Sequence, residues 1–191
     1  MKAHWEVLAA SDFLTTEVWT RGGLVTYYIF FVIELSSRKV QIAGMTPNPN
    51  GPFMVQIARN LTDCRDGFLK GKNILLRDRD KKYCEQFDCI LKDAGIEPKP
   101  LPAESPNLNA YAERFVLTLK SECLNRMVFF GEQSLRRAAS EFMAHYHEER
   151  NHQSLDNEVI IPLGNIGGER GTIQRKQRLG GMLNYYYRLA A

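Results

Sequence analysis

The twelve-residue run Leu24–Leu35 limits the possible folds most strongly, because it is almost wholly apolar and rich in β-branched and aromatic side chains. No glycine or proline interrupts it, so the run predicts a long strand buried in the interior of a sheet. It contains Glu34 and is shorter than the roughly 20 apolar residues needed to cross a bilayer. We therefore expect the longest apolar run of this chain in a globular core and not in a membrane.

Shorter segments on either side of this strand set the predicted topology. Trp5–Ala10 and Val40–Met45 are predicted strands, and turns join them to Leu24–Leu35 as an antiparallel meander. Later segments alternate between helical spacing and extended patterns. The predicted helices are Pro52–Cys64, Tyr83–Ala94, Ser105–Glu122 and Ser134–His147, and the strands among them are Ile74–Leu76 and Ile96–Pro102. The order β-β-β-α-β-α-β-α-α predicts an α/β fold with a mixed five-stranded sheet and helices on both faces.

The predicted helix Ser105–Glu122 begins with a cap and a first-turn proline, Pro106. At about 100° per residue, Asn109, Glu113 and Lys120 fall in one narrow sector beside its apolar stripe. The stripe consists of Leu108, Ala112, Phe115, Val116, Leu119 and Cys123. A carboxylate and an amine on one face could bind a charged substrate, although a solvated helix face with a weak ion pair is the commoner arrangement.

Composition is that of an ordinary globular protein, with 44% apolar and 25% charged residues and a net charge of +3. This mild positive charge permits a nucleic-acid partner without requiring one. The first residues are a poor signal peptide because Glu6 interrupts their apolar part, so we expect a cytoplasmic protein. The four cysteines and four histidines lack the spacing of a zinc site.

Two aspartates are predicted to lie at the ends of strands. Asp12 is expected at or just after the end of the first strand, and Asp78 follows the short apolar strand Ile74–Leu76. Ligands of open α/β sheets gather beyond the carboxyl ends of strands. Neighbouring carboxylates repel unless a cation separates them, and Mg²⁺ or Mn²⁺ suits their oxygens. Glu113 would complete such a cluster. The alternative is that Asp12 caps a turn and Asp78 belongs to a solvated charged loop, and composition by itself favours that alternative.

Four separated motifs, in this order, resemble the catalytic core of DDE transposases and retroviral-type integrases. They are Asp12, the segment LLRDRDKKY with Asp78, the segment SPNLNAYAERFVLTLKSE with Glu113, and the segment YHEERNHQSL. Thirty-four residues separate Asp78 from Glu113, which is close to the family's spacing. Lys120 matches a basic position that those enzymes often carry. In the last segment, the matching residues are Tyr146, Arg150, His152 and Leu155.

The resemblance implies a ribonuclease-H-like catalytic core over residues 1–162. It also implies that Asp12, Asp78 and Glu113 bind two Mg²⁺ or Mn²⁺ ions for DNA strand cleavage and strand transfer, as in a bacterial insertion-sequence transposase. The implied partners are transposon-end and target DNA and further copies of the chain, at least a dimer on DNA. The implied location is the nucleoid-associated cytoplasm.

Departures from the family pattern leave alternatives open. Asp80 stands where the family usually has glycine and could compete with Asp78 for metal, and Glu104 is a second choice against Glu113. Asn151 replaces a frequent proline. Family members commonly carry an N-terminal helix-turn-helix or zinc-binding domain that finds transposon ends, whereas this chain starts almost at the first strand. It could therefore be a truncated open reading frame or a separately encoded or excised core, and a separate protein or domain could recognise transposon ends. The alternative function is a non-catalytic DNA-binding or regulatory remnant of a transposase. A hydrolytic ribonuclease-H-like nuclease is a weaker alternative.

Several residues near these motifs are candidates for DNA contacts, although each taken singly is more readily explained as a plain surface residue. Lys120 could bind a phosphate, and the asparagines could reach the backbone or a base near the break. The candidates are Lys120, Asn107, Asn109, Arg77, Arg79, Arg150 and His152. The loop Leu101–Asn107 beside them is expected to order when DNA binds.

Residues 163–191 form a basic, glycine-rich C-terminal tail. Its cations are Arg170, Arg175, Lys176, Arg178 and Arg188, against the single acid Glu169. Such a tail could bind a phosphate backbone, dock on a second subunit or be disordered. Met182–Ala191 is predicted to form a last short helix.

Overall fold

The computed structural model describes residues 2–101, 106–162 and 171–188, except for the side chains of residues 2–4 and 106–108. Its strands are β1 (Leu8–Thr20), β2 (Gly23–Glu34), β3 (Val40–Thr46), β4 (Ile74–Arg77), β5 (Glu97–Pro100), β6 (Phe129–Phe130), β7 (Gln174–Arg178) and β8 (Leu183–Tyr187). Its α-helices are α1 (Gly51–Leu61), α2 (Glu85–Asp93), α3 (Pro106–Glu122) and α4 (Gly131–Glu148).

The chain forms two compact units. The first comprises Met1–Val18 and Gly22–Leu117, and the second comprises Trp19–Arg21 and Thr118–Ala191.

A mixed sheet with the strand order β3-β2-β1-β4-β5 organises the first unit. β2 and β3 pair antiparallel, whereas β4 pairs parallel with both β1 and β5. A two-residue strand, β6, also pairs with β1. The predicted α/β class and the predicted order of helices and strands through α3 are therefore confirmed, whereas β6, which precedes α4, was not predicted. β2 occupies almost the range predicted for the long buried strand.

Helices cover both faces of this sheet. Phe30 and Phe31 are adjacent in β2 and are both fully buried, so their side chains point to opposite faces. Phe30 packs with the buried side chains of α1 and α2, including Met54 and Phe87. Phe31 contacts Phe115 of α3, with ring centroids 4.7 Å apart. Consecutive aromatic residues of one strand thus anchor the two helical layers of the first unit.

The first strand differs from its prediction. Lys2–Val7 forms a 3₁₀ helix, and β1 runs over thirteen residues from Leu8 to Thr20. Asp12 is consequently inside a strand, and the expectation that it lies at or after the strand end was wrong in those terms. The polar pair at Ser11 and Asp12 does not make a turn, because neighbouring strands supply backbone partners on this stretch and Ser11 is fully buried.

The second unit contains α4 and a hairpin formed by β7 and β8, which pair antiparallel from Gln174 with Tyr187 to Arg178 with Leu183. Residues 183–187 are a strand, so the predicted terminal helix was wrong there, and the described part of the tail is not disordered. Alternation in the strand puts Tyr185 and Tyr187 on one face, where their rings stack at 5.4 Å. A helix would have separated these rings by about 200°.

No helix among the described residues is both long enough and apolar enough to cross a membrane.

Candidate active site

The pairing of β1 with β4 brings two predicted carboxylates to one place. The last residues in parallel register are Ala10 and Leu76. Asp12 and Asp78 each follow the last paired residue of their segment by two positions. The charge of Asp78 acts on the carboxyl group of Asp12, which is consistent with this pairing. Asp12 therefore lies past the point where β4 ends, although β1 itself continues.

The environment of Asp12 destabilises the ionised form of its carboxyl group relative to an exposed aspartate. Burial is the main cause that raises its pKa to about 6 from the ordinary 3.8, and the negative charges of Asp78 and Glu113 raise it further. Hydrogen bonds from the backbone N–H of Phe13 and from the side chain of Asn109 act in the opposite direction. All three predicted carboxylates are thus close enough to interact electrostatically at Asp12.

Asp78 and Asp80, which compete for the metal-binding role, have different surroundings. Burial raises the pKa of Asp78 above its ordinary value, and the carboxylate of Asp80 adds to that effect. Partial burial also raises the pKa of Asp80, but its hydrogen bonds with Lys82 outweigh this and leave it below the ordinary value. Asp80 already has a cation in the ion pair with Lys82. Asp78 has the weaker charge compensation, which makes it the better candidate to bind a metal ion.

Glu113 lies on α3 and its side chain is exposed. Among the described residues, no group of three histidine, cysteine, aspartate or glutamate side chains is arranged closely enough to bind a metal ion as it stands. The three carboxylates therefore share an electrostatic environment without forming a closed coordination shell. The competing residue Glu104 lies outside the described residues.

Asn109 connects α3 to Asp12. Its Nδ2 donates to Oδ2 of Asp12 at 3.4 Å, and the residue is only 9% exposed. Its Oδ1 is buried and accepts no hydrogen bond from any described residue. The amide of Asn109 is thus turned to the carboxylate of Asp12, and its predicted contact with DNA remains a prediction.

These donors fit a hard divalent cation. Asp12, Asp78 and Glu113 offer only oxygen atoms, the ligand type that Mg²⁺ and Mn²⁺ prefer. The raised pKa of Asp12 and the unsatisfied Oδ1 of Asn109 are both features that a nearby cation would relieve. The residues present are thus compatible with the predicted metal ions.

Tyr83 contacts both of the segments that contain the two aspartates. Its hydroxyl and the hydroxyl of Ser11 lie 3.0 Å apart in a buried hydrogen bond. The Arg77 guanidinium sits 4.7 Å from the centroid of its ring. Ser11 and Arg77 immediately precede Asp12 and Asp78, so one side chain touches both segments. Sequence reasoning missed this role, although an aromatic residue within the charged segment RDRDKKY was a signal that it needed a buried site.

We predict that Tyr83→Phe lowers the free energy of unfolding by about 1–3 kcal/mol, because the buried hydroxyl of Ser11 loses its partner. Ser11→Ala is expected to have a similar cost through the orphaned tyrosine hydroxyl. The double variant should be more stable than the sum of the single losses implies, since it removes both partners. Urea denaturation of the four proteins measures this, and strictly additive losses would contradict it.

Arg77 and Arg79, two of the predicted DNA contacts, have intramolecular partners. Arg77 forms an ion pair with Asp88 at 2.7 Å and is half-buried. Arg79 is exposed, and its Nε donates to the backbone oxygen of Leu101. Arg77 is thus held as part of the fold, and Arg79 is the more accessible of the two cations.

The closing segment YHEERNHQSL stabilises the second unit. His152 is 5% exposed, its Nε2 lies 2.8 Å from the backbone oxygen of Tyr146, and its ring packs on the Tyr146 ring at 4.6 Å. Arg150 forms an ion pair with Glu122 at 3.0 Å. Both side chains thus have partners within the protein, and their predicted DNA contacts remain predictions.

The other two candidate contacts also remain predictions. Asn107 lies in the first turn of α3, but its side chain is outside the described residues. Lys120 lies further along α3, in the second unit, and is half-buried. Residues 102–105 of the loop that was expected to order on DNA binding are also outside the described residues.

Comparison with known proteins supports the fold and the family resemblance. Residues 94–158, which include Glu113 and the closing segment, match the integrase core domain family. No curated protein matches the chain. The BIV integrase catalytic core is 16% identical, with a TM-score of 0.54 over 77% of this chain and 87% of that one. The Mos1 mariner transposase catalytic domain is also 16% identical, with a TM-score of 0.55 over 75% and 72%.

The HTLV-2 integrase catalytic core domain, solved in complex with magnesium, is 9% identical, with a TM-score of 0.51 over 81% of this chain and 93% of that one. Identities this low show a shared fold. This chain thus has the ribonuclease-H-like fold of DDE transposase and retroviral-type integrase catalytic cores, and its residues 94–158 match the integrase core domain family.

Proposed function

We propose that this chain is a divalent-metal-dependent polynucleotidyl transferase that cuts and joins DNA strands. The observation that supports the proposal is that the charges of Asp78 and Glu113 both act on the buried carboxyl group of Asp12, next to the parallel pairing of β1 with β4. These three acidic residues come from distant parts of the chain, and the chain shares its fold with integrase and transposase catalytic domains.

Asp12, Asp78 and Glu113 would hold the metal ions. A pair of divalent ions between carboxylates activates the attacking oxygen and stabilises the leaving oxygen of an in-line displacement at phosphorus. Asp12 is oriented for this task by the Phe13 N–H on one carboxylate oxygen and the Asn109 amide on the other. Lys120, on the same helix as Glu113, is proposed to bind a DNA phosphate.

The proposed reaction has two steps at phosphorus. In the first, a water oxygen attacks the phosphodiester at a transposon end, the bond from phosphorus to the 3′ oxygen breaks, and that oxygen takes a proton to become a 3′-hydroxyl. In the second, this hydroxyl attacks a target phosphodiester, loses its proton, and displaces the target 3′ oxygen, which is protonated. Bonds and protons balance, and no covalent protein intermediate forms.

The proposed assembly acts on DNA as two or more copies of the chain, with residues 1–162 as the catalytic core and residues 163–191 as its tail. Among proteins of this fold, HTLV-2 integrase catalytic core domains are known in dimeric and trimeric forms, and a simian T-cell lymphotropic virus integrase is known in an intasome. The absence of a membrane-spanning helix among the described residues is compatible with action on DNA in the cytoplasm. End recognition is proposed to come from a separate protein or domain.

Disintegration of a branched strand-transfer product tests the proposal, because it needs the catalytic core without recognition of a transposon end. We expect the full chain to resolve the labelled branch with Mn²⁺ and, more slowly, with Mg²⁺. Addition of EDTA should abolish the reaction, and excess Mn²⁺ should restore it. A folded wild-type protein that binds DNA but shows no disintegration with either ion would instead favour the non-catalytic DNA-binding function.

A further inference from the structure

The amide oxygen of Asn109 is a polar atom at the proposed active site whose partner is missing from the described chain. The residue is 9% exposed, and Oδ1 is buried without a hydrogen bond from any described donor. Its Nδ2 faces Oδ2 of Asp12 at 3.4 Å, which fixes the orientation of the amide. A buried carbonyl oxygen normally has a partner, so one is expected here.

The chemistry of the surroundings narrows what that partner can be. Asp12 contacts the same amide, and Asp78 and Glu113 act electrostatically on Asp12. Ionised carboxylates accept hydrogen bonds and donate none, so none of these three groups can satisfy Oδ1. The partner must therefore be a donor other than these carboxylates, such as a water molecule on a cation that they bind.

We propose that Oδ1 of Asn109 binds a hydrated divalent cation at Asp12 by accepting a hydrogen bond from a water molecule on the ion. The proposal rests on the metal-dependent function proposed above and adds a residue to its metal site. Mg²⁺ gives up its water reluctantly and keeps several molecules when it binds carboxylates, which supplies the donor that Oδ1 needs. The amide would then donate to a carboxylate ligand through Nδ2 and accept from the ion's hydration shell through Oδ1.

The position of Asn109 on α3 supports this double role. Asn109 and Glu113 are four residues apart, so their side chains leave the same face of the helix one turn apart. Groups that support metal ligands in this way typically change metal affinity 10-fold to 100-fold when they are removed.

Titration calorimetry of Mn²⁺ binding to the full chain without DNA distinguishes the contribution of Oδ1 to the affinity from that of Nδ2. Asn109→Leu keeps the approximate size of the side chain and removes both polar atoms, and we expect Mn²⁺ affinity to fall about tenfold. Asn109→Asp keeps an oxygen at the Oδ1 position and removes the Nδ2 donor, and we expect affinity to equal or exceed that of the wild type. Ala110→Asp, at the exposed neighbouring position, measures the effect of an added charge alone.

The proposal requires Asn109→Asp to bind Mn²⁺ at least as tightly as Ala110→Asp does. It is overturned if Asn109→Leu binds Mn²⁺ as tightly as wild type, or if Asn109→Asp and Asn109→Leu lose affinity equally, because the Nδ2 donor would then account for the whole effect. Melting temperatures without metal check folding, and Asn109→Leu should melt no lower than wild type, since it removes an unsatisfied buried group.

Asp12→Asn distinguishes this inference from the proposed function. If Asp12→Asn abolishes Mn²⁺ binding while Asn109→Leu leaves it unchanged, only the role of Asn109 fails. If the folded wild-type chain binds no Mn²⁺, the metal-dependent function fails and the role of Asn109 fails with it.

Discussion

Asp78→Asn is expected to lower the disintegration rate by about 10³-fold or more. Asparagine has nearly the shape of aspartate but lacks the negative charge that binds a divalent ion. A bound ion contributes several kcal/mol of transition-state stabilisation, and each 1.36 kcal/mol corresponds to about a factor of ten in rate. The measurement is the initial rate of branch resolution at saturating Mn²⁺, with circular dichroism to establish that the variant is folded.

Asp80→Asn is the matched control for this experiment. It removes an equal charge two residues away, from a partly exposed carboxylate that pairs with Lys82. Such pairs contribute little, so we expect the rate to stay within about threefold of wild type. The opposite pattern, with Asp80→Asn inactive and Asp78→Asn active, would assign the metal-binding role to Asp80.

Glu149→Gln is expected to have the largest effect on stability, lowering the free energy of unfolding by about 3 kcal/mol or more. The Glu149 side chain is 0% exposed and binds Arg178 at 2.8 Å and Lys176 at 2.7 Å. The substitution removes the negative charge of Glu149, so Lys176 and Arg178 of β7 lose their main ion-pair partner. Chemical denaturation measures the loss.

Glu148→Gln provides the control. Glu148 also faces Arg178, but at 3.8 Å and with 35% of its side chain exposed. We expect a loss of less than about 1 kcal/mol, because exposed pairs are weak. Equal losses in the two variants would show that burial of Glu149 is not what makes its ion pairs stabilising.

Lowering the pH should remove the contribution of Glu149 to the free energy of unfolding over a defined pH range. Burial raises its pKa, but hydrogen bonds with Arg178, Lys176 and His145 outweigh burial and lower the pKa to about 2 from the ordinary 4.5. Because the folded value is the lower one, the stabilisation is complete above pH 4.5 and is lost as the pH falls through 2. The stability difference between wild type and Glu149→Gln should narrow over this range, and a constant difference would contradict the assignment.

These ion pairs also revise the interpretation of the basic tail. Its charge suggested a phosphate backbone or a second subunit as the partner, yet Lys176 and Arg178 bind Glu149 of their own chain. Arg178 also reaches Glu141 of α4 at 2.9 Å. The sequence provided the acids and the bases, but it did not indicate that α4 and a later hairpin would pair them.

The order of helices and strands was predictable because hydrophobic periodicity is a local property. The predicted run Leu24–Leu35 became β2, and the pattern after Ser105 became α3. The length of β1 was not predictable in the same way, because a strand extends as far as its neighbours offer backbone partners. The predicted strand therefore stopped at Ala10, whereas β1 continues to Thr20.

Three carboxylates, their order along the chain and the oxygen ligands that they offer to a divalent ion were determined by the sequence itself. Only the tertiary structure decided that Asp12 and Asp78 lie close enough to interact electrostatically, that Asn109 contacts Asp12 across 97 positions of the chain, and that His152 is buried. The reason is physical: residue type and spacing set local conformation and chemistry, whereas contacts between distant segments depend on how strands and helices pack.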